Sequence, residues 1–358
     1  MDSLAFVDHR SDPSGWAEAL GTSREAVELY LESDVIDLHI DSFIWHRVFG
    51  YDLRERHGSG LLRANFFSQV DFPRALEARL TGAIWVITTN PLKSGESRRD
   101  TFLGNLLELE ELFASVSQHF ELVRDHAGYV RARRAGKHAA FLGIQGGNAL
   151  DHDRFTLNLL GDQVVRITLV HLSSSTLGTT SSPLKMGEDD GLSERGREYV
   201  QQLDEKHIFV DLAHISRRGF WQAVAAHDRS LPLIVTHTGV CGVHDHWRNL
   251  DDEQLRAIAE SGGTVGIMYH WPFLGRGART HGIEAILRHL EHIVNTVGED
   301  HASLGSDWDG AILTPRDMPT CLELPRLVQA MLDRSWKPER IRKILGQNFL
   351  RSLKHLRG

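Results

Sequence analysis

The sequence predicts an α/β chain folded as a single-domain (β/α)8 barrel of the TIM type, and three observations predict it. Eight short apolar runs recur along the chain, each of strand length. Helical patterns separate them, so the order is strand, helix, strand throughout. The polar residues richest in chemistry end these runs, where a barrel builds its active site. A doubly wound sheet is the alternative, but it would spread those residues along an edge. No Gly-x-Gly-x-x-Gly turn follows the first run.

The runs are 35–41 (VIDLHID), 82–88 (GAIWVIT), 139–145 (AAFLGIQ) and 164–171 (VVRITLVH), then 208–214 (IFVDLAH), 233–237 (LIVTH), 264–269 (TVGIMY) and 302–307 (ASLGSD). Their near-continuous apolar character fits parallel strands buried on both faces. Between them, 101–120 repeats Leu and Phe at helical spacing. Ser193 reads as the N-cap of a helix over 193–205, and 251–261 opens on Asp and stops at Gly262-Gly263. Residues 283–297 and 324–334 are amphipathic, and 1–34 form an N-terminal helical extension.

Composition narrows the function. The 358 residues are 41% hydrophobic and 25% charged, an ordinary globular balance. Lys and Arg number 40 against 48 Asp and Glu, a net charge of -8, without the clustered basic face that nucleic acid requires. The one basic run, Arg131-Ala-Arg133-Arg134 with Lys137, reads as a solvated face. Two cysteines, Cys241 and Cys321, make no disulfide framework and point to a reducing, cytoplasmic setting. Neither a signal peptide nor an 18-residue apolar run is visible, so no membrane association is expected.

Asp37-Leu-His39-Ile-Asp41 has period two, which places its three polar side chains on one face of a strand. His39 and Asp41 are the first half of a metal site or part of a hydrogen-bonded polar strand; zinc accepts both donor types. His214 and His237 end neighbouring strands at matched depth. Apart, each reads as structural; beside the first strand, they read as a second half-site. Asp307 ends the last strand and is placed to hold and deprotonate a water. Asp309-Gly310 reads as a turn. His171 is a candidate for polarising a carbonyl or holding an oxyanion, against a core histidine. Arg248 is a candidate carboxylate clamp, against a surface arginine. Cys241 has no paired base in sequence. Asn148 and Asp151 are expected near the mouth. His46, His57, His152, His244, His246 and His270 are too loosely placed to assign.

The order of motifs resembles the membrane (renal) dipeptidase family of the amidohydrolase superfamily. The matching stretches are DLHID at 37–41, GIQGGNAL at 143–150, RITLVH at 166–171, GLSERGREYV at 191–200, VDLAHIS at 210–216, VTHTGVCGVHDHWRNLDDEQLRAIAESGG at 235–263 and LGSDWDG at 304–310. They span nearly the whole chain in order. The resemblance implies a zinc-dependent barrel that hydrolyses a small dipeptide-like substrate, and self-association into a homodimer, as members often show. It implies His39 and Asp41 on a first zinc, His214 and His237 on a second, His171 on substrate, Arg248 on its carboxylate and Asp307 on the attacking water. One departure stands out. The family pattern carries a metal-bridging Glu where this chain has Gln145. A carboxamide offers one neutral oxygen and a donor that faces a cation the wrong way. Weaker binding of one metal, or a one-zinc site with Gln145 as a neutral ligand, is the expectation. Altered chemistry on another amide, a lactone or a non-hydrolytic substrate, and a catalytically weak ligand-binding member, are the other readings.

Overall fold

The computed structural model describes residues 4–58, 68–89, 93, 95–151, 156–183 and 187–358. Its strands are β1 (Ile36–Ile40), β2 (Gly82–Thr88), β3 (Phe120–Leu122), β4 (His138–Gln145), β5 (Val164–Thr168), β6 (Phe209–Asp211), β7 (Ile234–Thr238), β8 (Thr264–Ile267) and β9 (Ala302–Leu304). Every pairing is parallel. Eight strands run in a ring from β2 through β1, β9, β8, β7, β6 and β5 to β4, and the β2–β4 pairing closes it. This is the single-domain barrel expected from the sequence. The ninth strand, β3, is a spur. It pairs with His138–Ala140, while β5 takes the rest of the same β4 edge. It was hidden because 101–120 reads as one helix; the helix is Gly95–Ser115, and the chain turns before Phe120.

The surrounding helices start where their side chains can cap them. Ser193 accepts from the Gly196 N–H to open Glu194–Glu205. Asp251 and Gln254 form a reciprocal capping box at Asp252–Glu260. The N-terminal helices Pro13–Leu20 and Arg24–Glu32 open on Asp12 and Ser23, and the Ser23 N–H donates to Gln329 of helix Leu324–Asp333. Helix Asn348–Arg357 closes the N-terminal end of the barrel. Its Phe349 is fully buried with Ile84, Phe141, Val165, Phe209 and Ile234. Burial of one such ring contributes about 2–3 kcal/mol. No helix among the described residues is long and apolar enough to cross a membrane.

Three register shifts decide what the interior contains. Between the Asp37–Ala83 and Ile40–Trp85 pairs, β1 takes three steps against two on β2. Between Leu142–Val164 and Gly143–Arg166, β5 takes two steps against one. Between Val235–Val265 and Thr238–Ile267, β7 takes three against two. Each is a β-bulge that turns two consecutive side chains to the same side. The pairs are Leu38 with His39, Val165 with Arg166, and Thr236 with His237. The expectation that Asp37, His39 and Asp41 share one face is therefore corrected. Asp37 takes the outer side, where its Oδ1 accepts from the N–H groups of His39 and Ser306, and only His39 and Asp41 point inward.

Candidate active site

The C-terminal end of the barrel opens into a cavity of about 860 Å³, walled by Asp41, Gln145, His171, His214, Arg248 and Asp307 among others. His39 and His237 lie directly beneath and are fully buried. All eight residues singled out by sequence therefore meet at one end. His39 is in β1, with Asp41 one residue past its end, Gln145 ends β4, and His237 is in β7. His171, His214 and Asp307 each lie three residues past a strand end, and Arg248 is on the loop after β7. Asn148 also lines the cavity. His152 lies outside the described residues.

The hydrogen bonds around each group set what it can do. His237 Nδ1 is 2.9 Å from Thr236 Oγ1, whose own proton goes to Asp211 Oδ2 at 2.6 Å. The threonine oxygen can then only accept, so His237 carries its proton on Nδ1 and leaves Nε2 bare. Nε2 faces His214 Nε2 at 2.8 Å. Asp211 is the anchor of this arrangement. It also accepts from Thr168 Oγ1 at 2.7 Å and from the N–H groups of Ala213 and Thr236, and pairs with Arg166 at 3.2 Å. His39 has a different setting. Its Nδ1 lies 2.6 Å from Arg166 Nη2, and its Nε2 faces Asp41 at 3.3 Å and Asp307 at 3.6 Å.

Burial controls the charges. It pushes the His214 and His237 pKa values well below the ordinary range, with Arg248 adding to the effect on His214 and His39 on His237. It brings His171 down to about 4. Burial thus favours the neutral form of all three, the form a metal ligand needs. Burial, then repulsion from Asp41, raises Asp307 well above the usual carboxylate range. Burial alone would raise Asp41 too, but His39 and the Thr88 hydroxyl outweigh it and hold its pKa down. Asp309 is tied into the surrounding loops. It accepts from Ser42 Oγ and from the N–H groups of Gln69 and Val70.

His214 and Asp307 also share a backbone feature, φ of +65° and +64°. Left-handed backbone at such residues costs about 1–3 kcal/mol, and concentrates at functional sites. Gln145 spends its amide nitrogen on His171 Nε2 at 2.6 Å, and its Oε1 is buried without a hydrogen-bond partner among the described residues. Arg248 gives Nη2 to the His237 carbonyl at 2.8 Å, and its Nε has no such partner. Cys241 donates to the Asn249 carbonyl, and burial raises its thiol pKa, the opposite of a nucleophile's setting. His270 lines the cavity, whereas His46 is tied to the Tyr51 carbonyl.

Sequence reasoning missed Arg166, Thr168, Asp211 and Thr236. A signal existed for two of them: a charged residue inside the apolar run VVRITLV, with a threonine two positions on. Nothing local says where that arginine points. As for a metal, His39, His237 and Asp307 offer ligand atoms within 4.8 Å of one another among the described residues. Nitrogen and carboxylate donors suit zinc. The bare Nε2 of His237, with its other nitrogen donating outward, is the usual state of a ligand histidine.

Comparison with known proteins adds to this geometry. The family described as membrane dipeptidase (peptidase family M19) matches residues 23–357. An uncharacterized protein in the pqqA 5' region of Klebsiella pneumoniae is 35% identical over 169 residues, 46% of this chain and 61% of that protein. The match thus spans less than two thirds of that relative's length. Dipeptidase tcpJ of Claviceps purpurea is 28% identical over 300 residues, 80% of this chain and 69% of its own. Two solved structures share the fold. A metallopeptidase from Rhodobacter sphaeroides, liganded with a phosphinate mimic of the dipeptide L-Ala-D-Ala, has TM-score 0.80 at 24% identity, covering 90% of this chain and 99% of its own. The probable dipeptidase PvdM of Pseudomonas aeruginosa has TM-score 0.81 at 17% identity, covering 93% and 98%.

Proposed function

Because this chain belongs to the membrane dipeptidase family, peptidase family M19, we propose that it is a metal-dependent hydrolase. Its substrate is a dipeptide or a dipeptide-like small molecule, and the bond cut is an amide. The single observation that carries the reading is the convergence of Asp41, His171, His214, Arg248 and Asp307 on one cavity above the buried His39 and His237. The metal, zinc in this reading, would be held within the cluster of His39, Asp41, His214, His237 and Asp307. When bound there, such an ion lowers the pKa of a water and polarises a carbonyl.

The chain's own residues do the rest. Asp307 orients the attacking water and takes its proton; its raised pKa brings it nearer the working range of a base. His171 accepts at Nε2 from Gln145, so its one ring proton is on Nδ1, and it acts as a neutral donor to the developing negative oxygen. Arg248 holds the substrate carboxylate with the donors that the His237 carbonyl leaves over. The cavity walls favour bulky apolar groups, since Trp45, Val48, Leu172, Trp247, Phe273 and Ile312 line them. A cytoplasmic setting belongs to the same reading, supported by two unpaired cysteines. The experiment is a screen of zinc-loaded protein against L,L- and L,D-dipeptides and N-acyl amino acids. Hydrolysis is expected, fastest with large apolar side chains. Zinc-replete protein that cleaves none of them overturns the reading. Gln145 favours one second reading, the same cavity acting on another amide or a lactone, and a lactone panel separates the two.

A further inference from the structure

We propose that this chain binds a single divalent metal, on the side of His214, His237 and Asp307, and that Arg166 is a resident cation that keeps His39 out of the ligand set. The proposal rests on the metal-dependent reading above and sets how many ions that reading needs.

A guanidinium has five N–H donors and no acceptor. Arg166 Nη2 lies 2.6 Å from His39 Nδ1, so that nitrogen must present a lone pair. A neutral imidazole with a bare Nδ1 carries its proton on Nε2. The Nε2–H then points toward two acceptors, Asp41 Oδ2 at 3.3 Å and Asp307 Oδ1 at 3.6 Å. On the cavity side His39 is therefore a donor, where a metal needs a lone pair. Freeing that lone pair would require an imidazolate, or loss of the Arg166 contact. The second route would leave another donor of a fully buried guanidinium unpaired, beside an Nε that already lacks a hydrogen-bond partner among the described residues. Ligand histidines usually give their outer N–H to an acceptor. His237 does so through Thr236, whereas His39 meets a donor in that place. Proximity counts His39 among the metal-binding candidates; its hydrogen bonds remove it.

The arginine is built into the barrel. Its Nη1 donates to the Ile144 carbonyl at 3.0 Å and to Thr168 Oγ1 at 2.5 Å, and pairs with Asp211 at 3.2 Å. Gly143 makes the space: a Cβ there would lie 2.7 Å from Arg166 Nε. Gln145 acts in the same direction. Two dications about 3.5–4 Å apart are stabilised by a shared anion. Here the strand end offers a neutral amide whose nitrogen is spent on His171, and the interior already holds a fixed positive charge. His39 becomes a positioning residue that fixes the carboxylates of Asp41 and Asp307.

The test is equilibrium dialysis of the full chain against buffered zinc, with elemental analysis, for the unaltered protein and for His39→Gln and His237→Ala. Circular dichroism checks that each variant is folded. One zinc per chain is expected. His39→Gln should keep it with at most about a 10–100-fold loss of affinity, the range of an outer-shell change, while His237→Ala should lose it. Side-chain nitrogen-15 shifts of the zinc-loaded protein, with His39 assigned by its absence in His39→Gln, should show a protonated Nε2 and a bare Nδ1. Two zinc ions per chain, loss of zinc in folded His39→Gln, or a bare Nε2 on His39 overturns the proposal and leaves the hydrolase reading standing. No zinc in any form overturns the metal-dependent reading itself, and the count with it.

Discussion

The imidazoles of His39 and His237 lie 3.8 Å apart between ring centroids, tilted by 46°, and carry their protons on opposite nitrogens. The cause is what faces each Nδ1. A threonine oxygen whose proton is already committed to Asp211 faces His237, and a guanidinium faces His39. Two histidines in contact inside the barrel, one from β1 and one from β7, thus have different chemistry, set by groups that never reach the cavity.

Thr236→Val keeps the shape of that relay and removes its oxygen. His237 then has a buried N–H with no acceptor, and its tautomer is no longer enforced. Zinc affinity should fall about 10–100-fold, read by competition with a chromophoric chelator. Thr236→Ser should restore most of it. Unchanged affinity in a folded Thr236→Val protein would mean that Thr236 does not orient His237.

Gly143→Ala should destabilise the fold by about 1–3 kcal/mol, because the new methyl meets Arg166 Nε and Ile84 Cγ2, both 2.7 Å from its position. Urea unfolding measures the loss. A variant as stable as the parent would show that the guanidinium has room to move.

Arg248→Met should raise KM at least tenfold for substrates with a free carboxylate, the scale of one lost charge-assisted contact at about 1.4 kcal/mol or more. Carboxamide-capped analogues should be affected far less. Equal losses on both would assign Arg248 to holding the His237 carbonyl rather than to binding substrate.

Stability should fall as pH drops below about 6.5. Burial brings His138 and His289 down to about 4, away from the active site. His138 accepts from Trp85 Nε1 and faces the Leu80 carbonyl, and His289 accepts from the Val240 N–H. Their unfolded forms bind protons first, so the stabilisation is complete above the unfolded pKa and is lost on the way down to about 4. Each contributes at most about 3 kcal/mol. Asp309, raised to about 6, works in the opposite sense and offsets part of the loss only below that value. Thermal melts from pH 7.5 to 5 read the slope, and His289→Gln should flatten it. A Tm independent of pH across this range would show that these histidines are not held neutral.

Much of this protein is legible in its sequence. The eight barrel strands, the helix starts at Ser193 and Asp251, and the strand-end placement of His39, Asp41, Gln145, His171, His214, His237 and Asp307 all follow from local signals. Apolar continuity, capping residues and the end of a run each depend on a few neighbouring residues. Strand β3 was lost for the same reason, since its first residue, Phe120, continues the Leu and Phe spacing of 101–120.

Only the tertiary structure decided which way the side chains face. Strict alternation puts Asp37 with His39 and says nothing of Arg166 or Thr236. The bulges at Leu38–His39, Val165–Arg166 and Thr236–His237 break that alternation in the three strands that meet at the centre. A bulge is an extra residue measured against a partner strand, so a strand read alone carries no trace of it. The pairing turned Asp37 outward, brought Arg166 against His39, and gave His237 the tautomer that a metal needs.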